Sequence, residues 1–207
     1  MARRALMVVG DPAALTLGDV LLQATIEVRG YQVMLVDDAA QPNTSAVQLI
    51  VISSTSVSNV VAGTYRNTPV PVVNMEASIL DDMKMTGPTK TVDYDEGDET
   101  RIVILASQAG HALAAGLSGT VTVVRNQPVG CCGIDWGVPA ASAVRVATFP
   151  GISGHSTIFA YEQGAVMVDG VVAPARRVGF FAAETACQYL NDDGQRLLQA
   201  ALKWAAP

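Results

Sequence analysis

The sequence predicts an α/β fold built on a mainly parallel central sheet, with an antiparallel extension in its second half. Three observations carry this. Short β-branched apolar runs open directly into hydroxyl or acidic residues, as at Leu49 to Thr55 (Leu-Ile-Val-Ile-Ser-Ser-Thr) and Val72 to Ser78 (Val-Val-Asn-Met-Glu-Ala-Ser), the pattern of buried parallel strands at their ligand-facing ends. Strands alternate with helical patterns through the first 75 residues, which implies right-handed crossovers and helices on both faces. Beyond residue 100 the chain changes to short strands spaced by turn residues, the signature of antiparallel pairing.

Ala5 to Val9 reads as the first strand. Thr16-Leu-Gly-Asp19 is a capping box that starts a helix, and Leu17, Val20, Leu21, Ala24 and Val28 share one helical face, which is expected to meet the core. Gly30 stops this helix. Tyr31 to Val36 is the second strand, Leu49 to Ile52 the third and Val70 to Val73 the fourth, with a short helix expected over Val57 to Tyr65. Strands are then expected at Arg101 to Ala106, Thr120 to Val124, Ala143 to Thr148, Thr157 to Tyr161, Ala165 to Val168 and Arg177 to Phe181. A final amphipathic helix runs from Asn191 to Trp204, with Leu197, Leu198, Ala201 and Leu202 on its inner face.

Composition bounds the function. With 207 residues and 50% hydrophobic content, the chain fits one domain with a sizeable core. Every apolar run is interrupted before the roughly 18 residues of a membrane helix. The basic start Met1 to Arg4 precedes only a short apolar run and does not make a secretion signal. The expected location is therefore the cytoplasm, including assembly there as part of a particle. The net charge is -6, and Asp93, Asp95, Glu96, Asp98 and Glu99 supply five of the negative charges; the 13 Lys and Arg are scattered without a basic stripe, so nucleic acid is not an expected partner. The three cysteines, two of them adjacent at Cys131 and Cys132, offer neither a disulfide framework nor zinc spacing; the adjacent pair could be reactive thiols, but no neighbouring Lys, Arg or His argues for a lowered pKa, and small buried hydrophobes are the plainer reading. No motif asks for a metal or cofactor.

The order of a strand, a Thr-x-Gly-Asp helix, Gly-Tyr-x-Val, Val-Ile-Ser-Ser-Thr, Val-Pro-Val-x-x-x-Glu and His111-Ala-Leu-Ala-Ala-Gly-Leu117 resembles the trehalose-utilisation (ThuA-like) branch of the class I glutamine amidotransferase-like fold. The segments Ile158-Phe-Ala-Tyr-Glu-x-Gly164 and Arg176-Arg-Val-Gly-Phe-Phe181 resemble the strands that close that family's sheet, so the likeness covers nearly the whole chain. The resemblance implies one domain over residues 1–207, arranged as a flavodoxin-like three-layer sandwich. The chain carries neither an amidotransferase Cys nor a Gly-x-Ser-x-Gly elbow, and no paired downstream His-x-Glu.

Candidate site residues follow from position, because ligands of open α/β sheets collect at the carboxyl ends of the strands. Asp11, Asp37, Ser53, Ser54, Thr55, Asn74, Glu76 and Ser78 would line that rim. Their hydroxyls, amide and carboxylates could hold a small carbohydrate; the commoner use of these residue types at such positions is capping, of the following helix by Ser53 to Ser56 and of a helix start by Glu76. His111 reads as a turn or packing residue, with a catalytic role as the alternative, and His155 falls in a Gly/Ser loop, Gly151 to Ser156, expected to be a surface turn. Ser118 is too close to His111 in sequence to complete a triad. The acidic segment from Asp93 to Glu99 misses the calcium-loop register and reads as a solvated hairpin tip. Trp136 and Trp204 are candidates for sugar stacking or for core. Arg176 and Arg177 must point to opposite faces of a strand, so at most one serves any anion site.

Two functional readings stay open. The first is a non-catalytic structural or binding module that self-associates or joins a larger protein assembly, such as a shell or particle; charged residues are only 15% of the chain, which permits apolar contact surfaces. The second is an enzyme acting on small carbohydrate or acyl substrates, with Glu76 and His111 as acid and base.

Overall fold

In the computed structural model, which describes residues 3–125, 133–183 and 186–207, one mixed sheet of eleven strands runs from the first element to the last third of the chain. Cys131 and Cys132 lie outside the described residues. The strands are β1 (Arg3–Val9), β2 (Tyr31–Asp37), β3 (Leu49–Ile52), β4 (Val72–Asn74), β5 (Tyr94–Gly97), β6 (Arg101–Ile104), β7 (Gly119–Thr122), β8 (Ile134–Gly137), β9 (Val144–Phe149), β10 (Ile152–Tyr161) and β11 (Arg177–Phe180). Their order is β2-β1-β3-β4-β11-β10-β9-β6-β7, with β8 joined to β10 and β5 to β8. β2, β1, β3, β4 and β11 pair in parallel, and the remaining pairings between strands are antiparallel. The second half thus continues the same sheet, and its last strand returns to lie parallel to β4.

The five consecutive apolar residues of β1 explain the two-sided core. Ala5, Met7 and Val9 point into one cluster with Leu22, Ile26, Leu198 and Leu202; Leu6 and Val8 point into another with Ile50, Ile52, Tyr65, Phe159 and Tyr161. Alternation at period two sends successive side chains to opposite faces, so a strand that is apolar throughout must be covered on both. The first face is covered by α1 (Leu17–Val28) and α3 (Asp192–Ala205), the second largely by irregular chain and the four-residue α2 (Ser58–Val61). Among the described residues no helix is long and apolar enough to cross a membrane.

α1 begins and ends as its sequence requires. Thr16 accepts from the Asp19 amide while Asp19 accepts from Thr16, and Gly30 takes the left-handed conformation at φ 83°. Its rotation is the reverse of the expected one. Gly18, Asp19, Leu22 and Ile26 face the core, whereas Leu17 is 59% and Val28 82% exposed and Val20 and Leu21 are exposed beside them. The reason is Asp19: its carboxylate accepts from Ser53 and Thr55 inside, and the apolar stripe lies on the other side of the helix.

Four further expectations are corrected. The helix over Val57 to Tyr65 is only Ser58–Val61, because Ala62 turns to positive φ after a β-branched stretch of weak helix propensity. Ala165 to Val168 is not a strand: an Asp169-Gly170 turn folds the chain back so tightly that only the Val166 to Val172 bridge forms. The acidic Asp93 to Glu99 segment is not a hairpin tip but contains β5, paired with β8. Gly151 to Ser156 is a turn only at its start: Gly151 takes positive φ and is exposed with the three residues after it, but β10 already begins at Ile152 and carries His155.

Arg177 closes the parallel half. It is fully buried, and its Nη1 donates to the carbonyls of Val70 (3.0 Å), Ala175 (3.2 Å) and Arg176 (3.1 Å), its Nη2 to those of Arg66 (3.2 Å) and Thr68 (2.7 Å). Burial lowers its pKa to about 10, which leaves it a cation at neutral pH. Removing it strands several buried carbonyls at once. Arg177→Ala is expected to lower the unfolding free energy in urea by at least about 3 kcal/mol, with Arg177→Lys recovering only part of the loss; a loss below about 1 kcal/mol in the alanine variant would refute the clasp.

Candidate functional site

β1 is flanked by β2 on one side and β3 on the other, so the direction of strand addition reverses there and a crevice opens at the carboxyl ends of β1 and β3. The residues of that crevice bond to one another. Ser53 Oγ donates to Asp19 Oδ1 at 2.5 Å, Thr55 Oγ1 reaches the same carboxylate at 3.1 and 3.2 Å, and Thr16 Oγ1 lies 2.9 Å from Oδ2. Asp19 is therefore both a helix cap and the hub of a buried hydroxyl cluster. The chain passes so close that a Cβ on Gly10 would lie 2.5 Å from the Thr55 carbonyl oxygen.

The expected capping by Ser53 to Ser56 is not what these residues do. The Val57 amide at the start of α2 is taken by Asp38 Oδ2 at 2.7 Å, while Ser56 Oγ donates to the Val8 carbonyl at 3.2 Å and Ser54 is buried. Asp11 and Asp37 are exposed and accept from the amides of Ala13 (2.8 Å) and Ala39 (2.9 Å) in tight local turns. Close to this cluster, burial and the Asp19 charge push the Cys187 thiol up to about 12, so it stays protonated and unreactive.

A second depression lies at the ends of β4 and β11. Asn74 is buried, and its Nδ2 donates to the Glu76 carbonyl at 2.8 Å. Glu76 Oε1 accepts from the Ser78 amide at 3.0 Å and so caps the turn Ala77–Ile79. Glu76, Ser78, Lys90, Asp95, Glu96 and Asp135 line a polar cleft of about 90 Å³; Asn74, Glu76, Asp135, Trp136, Ser156 and Thr157 border an adjoining slot of about 10 Å³, room for a single water. Glu96 and Asp135 sit directly opposite in the β5–β8 pair. Lys90 stands 3.7 Å from Asp95. Among the described residues no group of three or more His, Cys, Asp or Glu side chains is arranged to hold a metal ion. The cleft is suited to a cationic or polyhydroxyl group rather than an anion.

Behind this cleft, His155 stacks on Trp136 with ring centroids 3.4 Å apart and planes 6° from parallel. Its Nδ1 is buried without a hydrogen-bond partner among the described residues, and desolvation lowers its pKa. Trp136 and Trp204 are both buried. His111 is elsewhere: its Nδ1 accepts from the Leu113 amide at 3.2 Å, capping the turn Ala112–Ala114, and its ring centroid is 6.1 Å from that of Trp204. The cleft His111 lines shares no residue with either depression that Glu76 lines. Ser118 is exposed. Arg176 pairs with Glu162 at 2.8 Å and lies over the Trp204 ring, while Arg177 is consumed by its carbonyls.

Sequence reasoning placed Ser53, Thr55, Asn74 and Glu76 at the rim but missed the partners that hold them. Thr-x-x-Asp showed the cap at Asp19; its contacts 34 and 36 residues away leave no local pattern. Asp135 was missed because it stands in an otherwise apolar strand. No protein-family model matches the chain, and no curated protein matches it either.

A histidine whose folded-state pKa is lowered binds fewer protons in the native than in the unfolded chain. His155 therefore withholds stability as pH falls through its ordinary value of 6.5. Between about pH 7.5 and pH 5, urea unfolding of the wild type should lose more free energy than that of His155→Phe, which keeps a ring on Trp136 without a titrating group. Equal losses in the two proteins would remove the assignment.

Proposed function

We propose that this chain is a non-catalytic structural or binding module that associates with further copies of itself, on a scaffold of the ThuA-like, amidotransferase-type, flavodoxin-like layered kind. The carrying observation is the outer face of α1, where Leu17, Val20, Leu21 and Val28 face away from the core. A surface helix ordinarily turns such a stripe inward, and a contiguous exposed apolar patch marks a contact surface. Because the same stripe can meet itself across a two-fold axis, a second copy is the simplest occupant.

The scaffold part of the reading draws support from the strand order β2-β1-β3-β4 and from cores on both faces of the sheet. The non-catalytic part draws support from the rim: Asp19, Asp38 and Glu76 each accept hydrogen bonds from the chain's own donors. Catalysis through Glu76 and His111 needs the two within hydrogen-bond reach of one substrate, and they open on separate clefts.

The double variant Leu17→Glu/Val28→Lys tests the association. Both changes complement the helix dipole, so the helix should lose no stability. Light scattering is expected to give a multiple of the single-chain mass for the wild type and the single-chain mass for the variant, at an unchanged thermal midpoint. A wild type that is monomeric at high concentration, or a variant that associates equally well, would end this reading.

A further inference from the structure

We propose that the cleft between the His111 turn and the last turns of α3 binds a flat organic anion: a carboxylate or phosphate group carried on an aromatic or similarly flat apolar body. The cleft lies at the end of the parallel sheet opposite the rim just described, since Arg176 immediately precedes β11 and the residues after α3 reach the starts of β1 and β2 through Arg3 and Tyr31. Its volume is about 670 Å³, within the range of roughly 300 to 1,000 Å³ for small-molecule sites.

Its walls define the ligand. Ala109, Ala112, Ala115 and Ala200 give small apolar surfaces, and the indole of Trp204 stands among them. The polar side chains are His111, Arg176 and Lys203; no Asp or Glu is among the described lining residues, and the Glu162 that pairs with Arg176 stands outside them. An apolar lining with a few polar groups is the usual composition of a small-molecule site.

Each of the three groups is set in place by the fold. Arg176 is fixed by Glu162 at Nε (2.8 Å), by the Trp204 carbonyl at Nη1 (2.7 Å) and by its guanidinium carbon 4.7 Å from the Trp204 ring centroid; its Nη2 makes no hydrogen bond among the described residues. His111 spends Nδ1 on the Leu113 amide, so the neutral ring carries its proton on Nε2 and offers a donor. Lys203 is exposed in the last turn of α3 and has no ion pair among the described residues. The unpaired Lys203 cation, the free Nη2 donor of Arg176, whose charge Glu162 balances, and the His111 donor border an apolar floor; they recognise an anionic head on a flat body, and a neutral analogue forfeits the charged part of that recognition.

Isothermal titration with 1-naphthoate, 1-naphthyl phosphate and the neutral 1-naphthamide tests the site and separates carboxylate from phosphate as the preferred head. At least one anion is expected to bind about tenfold more tightly than the amide. Lys203→Glu, a change at an exposed position, should weaken that anion by a similar factor of about ten, and Ala112→Trp, also exposed, should abolish binding by filling the cleft. The proposal falls if no probe binds saturably, if the amide binds as well as the anions, or if a folded Ala112→Trp or Lys203→Glu protein binds as tightly as the wild type.

Discussion

The joint between the two halves of the sheet depends on one buried cation. β11 is the strand where parallel and antiparallel pairing meet, with β4 on one side and β10 on the other, and Arg177 stands at its first position. Burying a guanidinium is costly unless its donors are satisfied. Here five carbonyl oxygens among the described residues meet its two terminal nitrogens, three of them from the segment Arg66 to Val70 that leads into β4, while its buried Nε has no partner among those residues. The clasp joins that segment to β11 across more than a hundred residues of chain, which no local hydrogen bond could do. A carboxylate partner would neutralise the charge but hold one point; the planar fork of Arg holds several directions at once. Two positions further along β11, a Cβ on Gly179 would lie 2.6 Å from the Phe159 ring, so the seam is tight on both sides of the strand.

A second constraint explains why the outer surface looks as it does. The Asp19 carboxylate satisfies the start of α1 and three hydroxyls, two of them from the end of β3. A helix has one rotation, and residues four and eleven positions apart lie on a shared face. Turning Asp19 inward brings Leu22 and Ile26 with it and puts Leu17, Val20, Leu21 and Val28 outside. A buried carboxylate accepting several charge-assisted bonds outweighs the transfer free energy of a few partly exposed aliphatic side chains in water. The exposed stripe is thus a consequence of polar geometry, and it becomes favourable when another apolar surface covers it.

This competition also marks where the sequence was legible. The first strands, the Thr16 to Asp19 cap, the Gly30 stop and the last helix were readable because caps and apolar periodicity are local. The rotation of α1 was not, because periodicity counts apolar residues and cannot weigh one buried aspartate against five of them. The place of β11 beside β4 was hidden for the same reason: it rests on Arg177 meeting carbonyls distant in sequence. Rim residues such as Ser53 and Glu76 were found from the strand-end rule, yet their partners were not. His155 looked like a turn residue in a Gly/Ser stretch, and only the pairing of β10 with β9 and β8 makes it a strand residue stacked on Trp136.

Charge is sorted between the two ends of the sheet, and that sorting bears on which ligands can approach where. At the carboxyl ends of the parallel strands, Glu76, Asp95, Glu96 and Asp135 gather around Lys90, so an anion meets repulsion there, unlike the anion-accepting helix starts common in open α/β sheets. At the opposite end, Arg176, Lys203 and His111 surround an apolar cleft. The overall charge of -6 conceals this polarity, because net charge governs long-range attraction while a concave site focuses the field of the groups that line it. The two ends of the sheet therefore differ in the sign of the side chains they present: carboxylates crowd the rim, and the basic side chains stand beside α3.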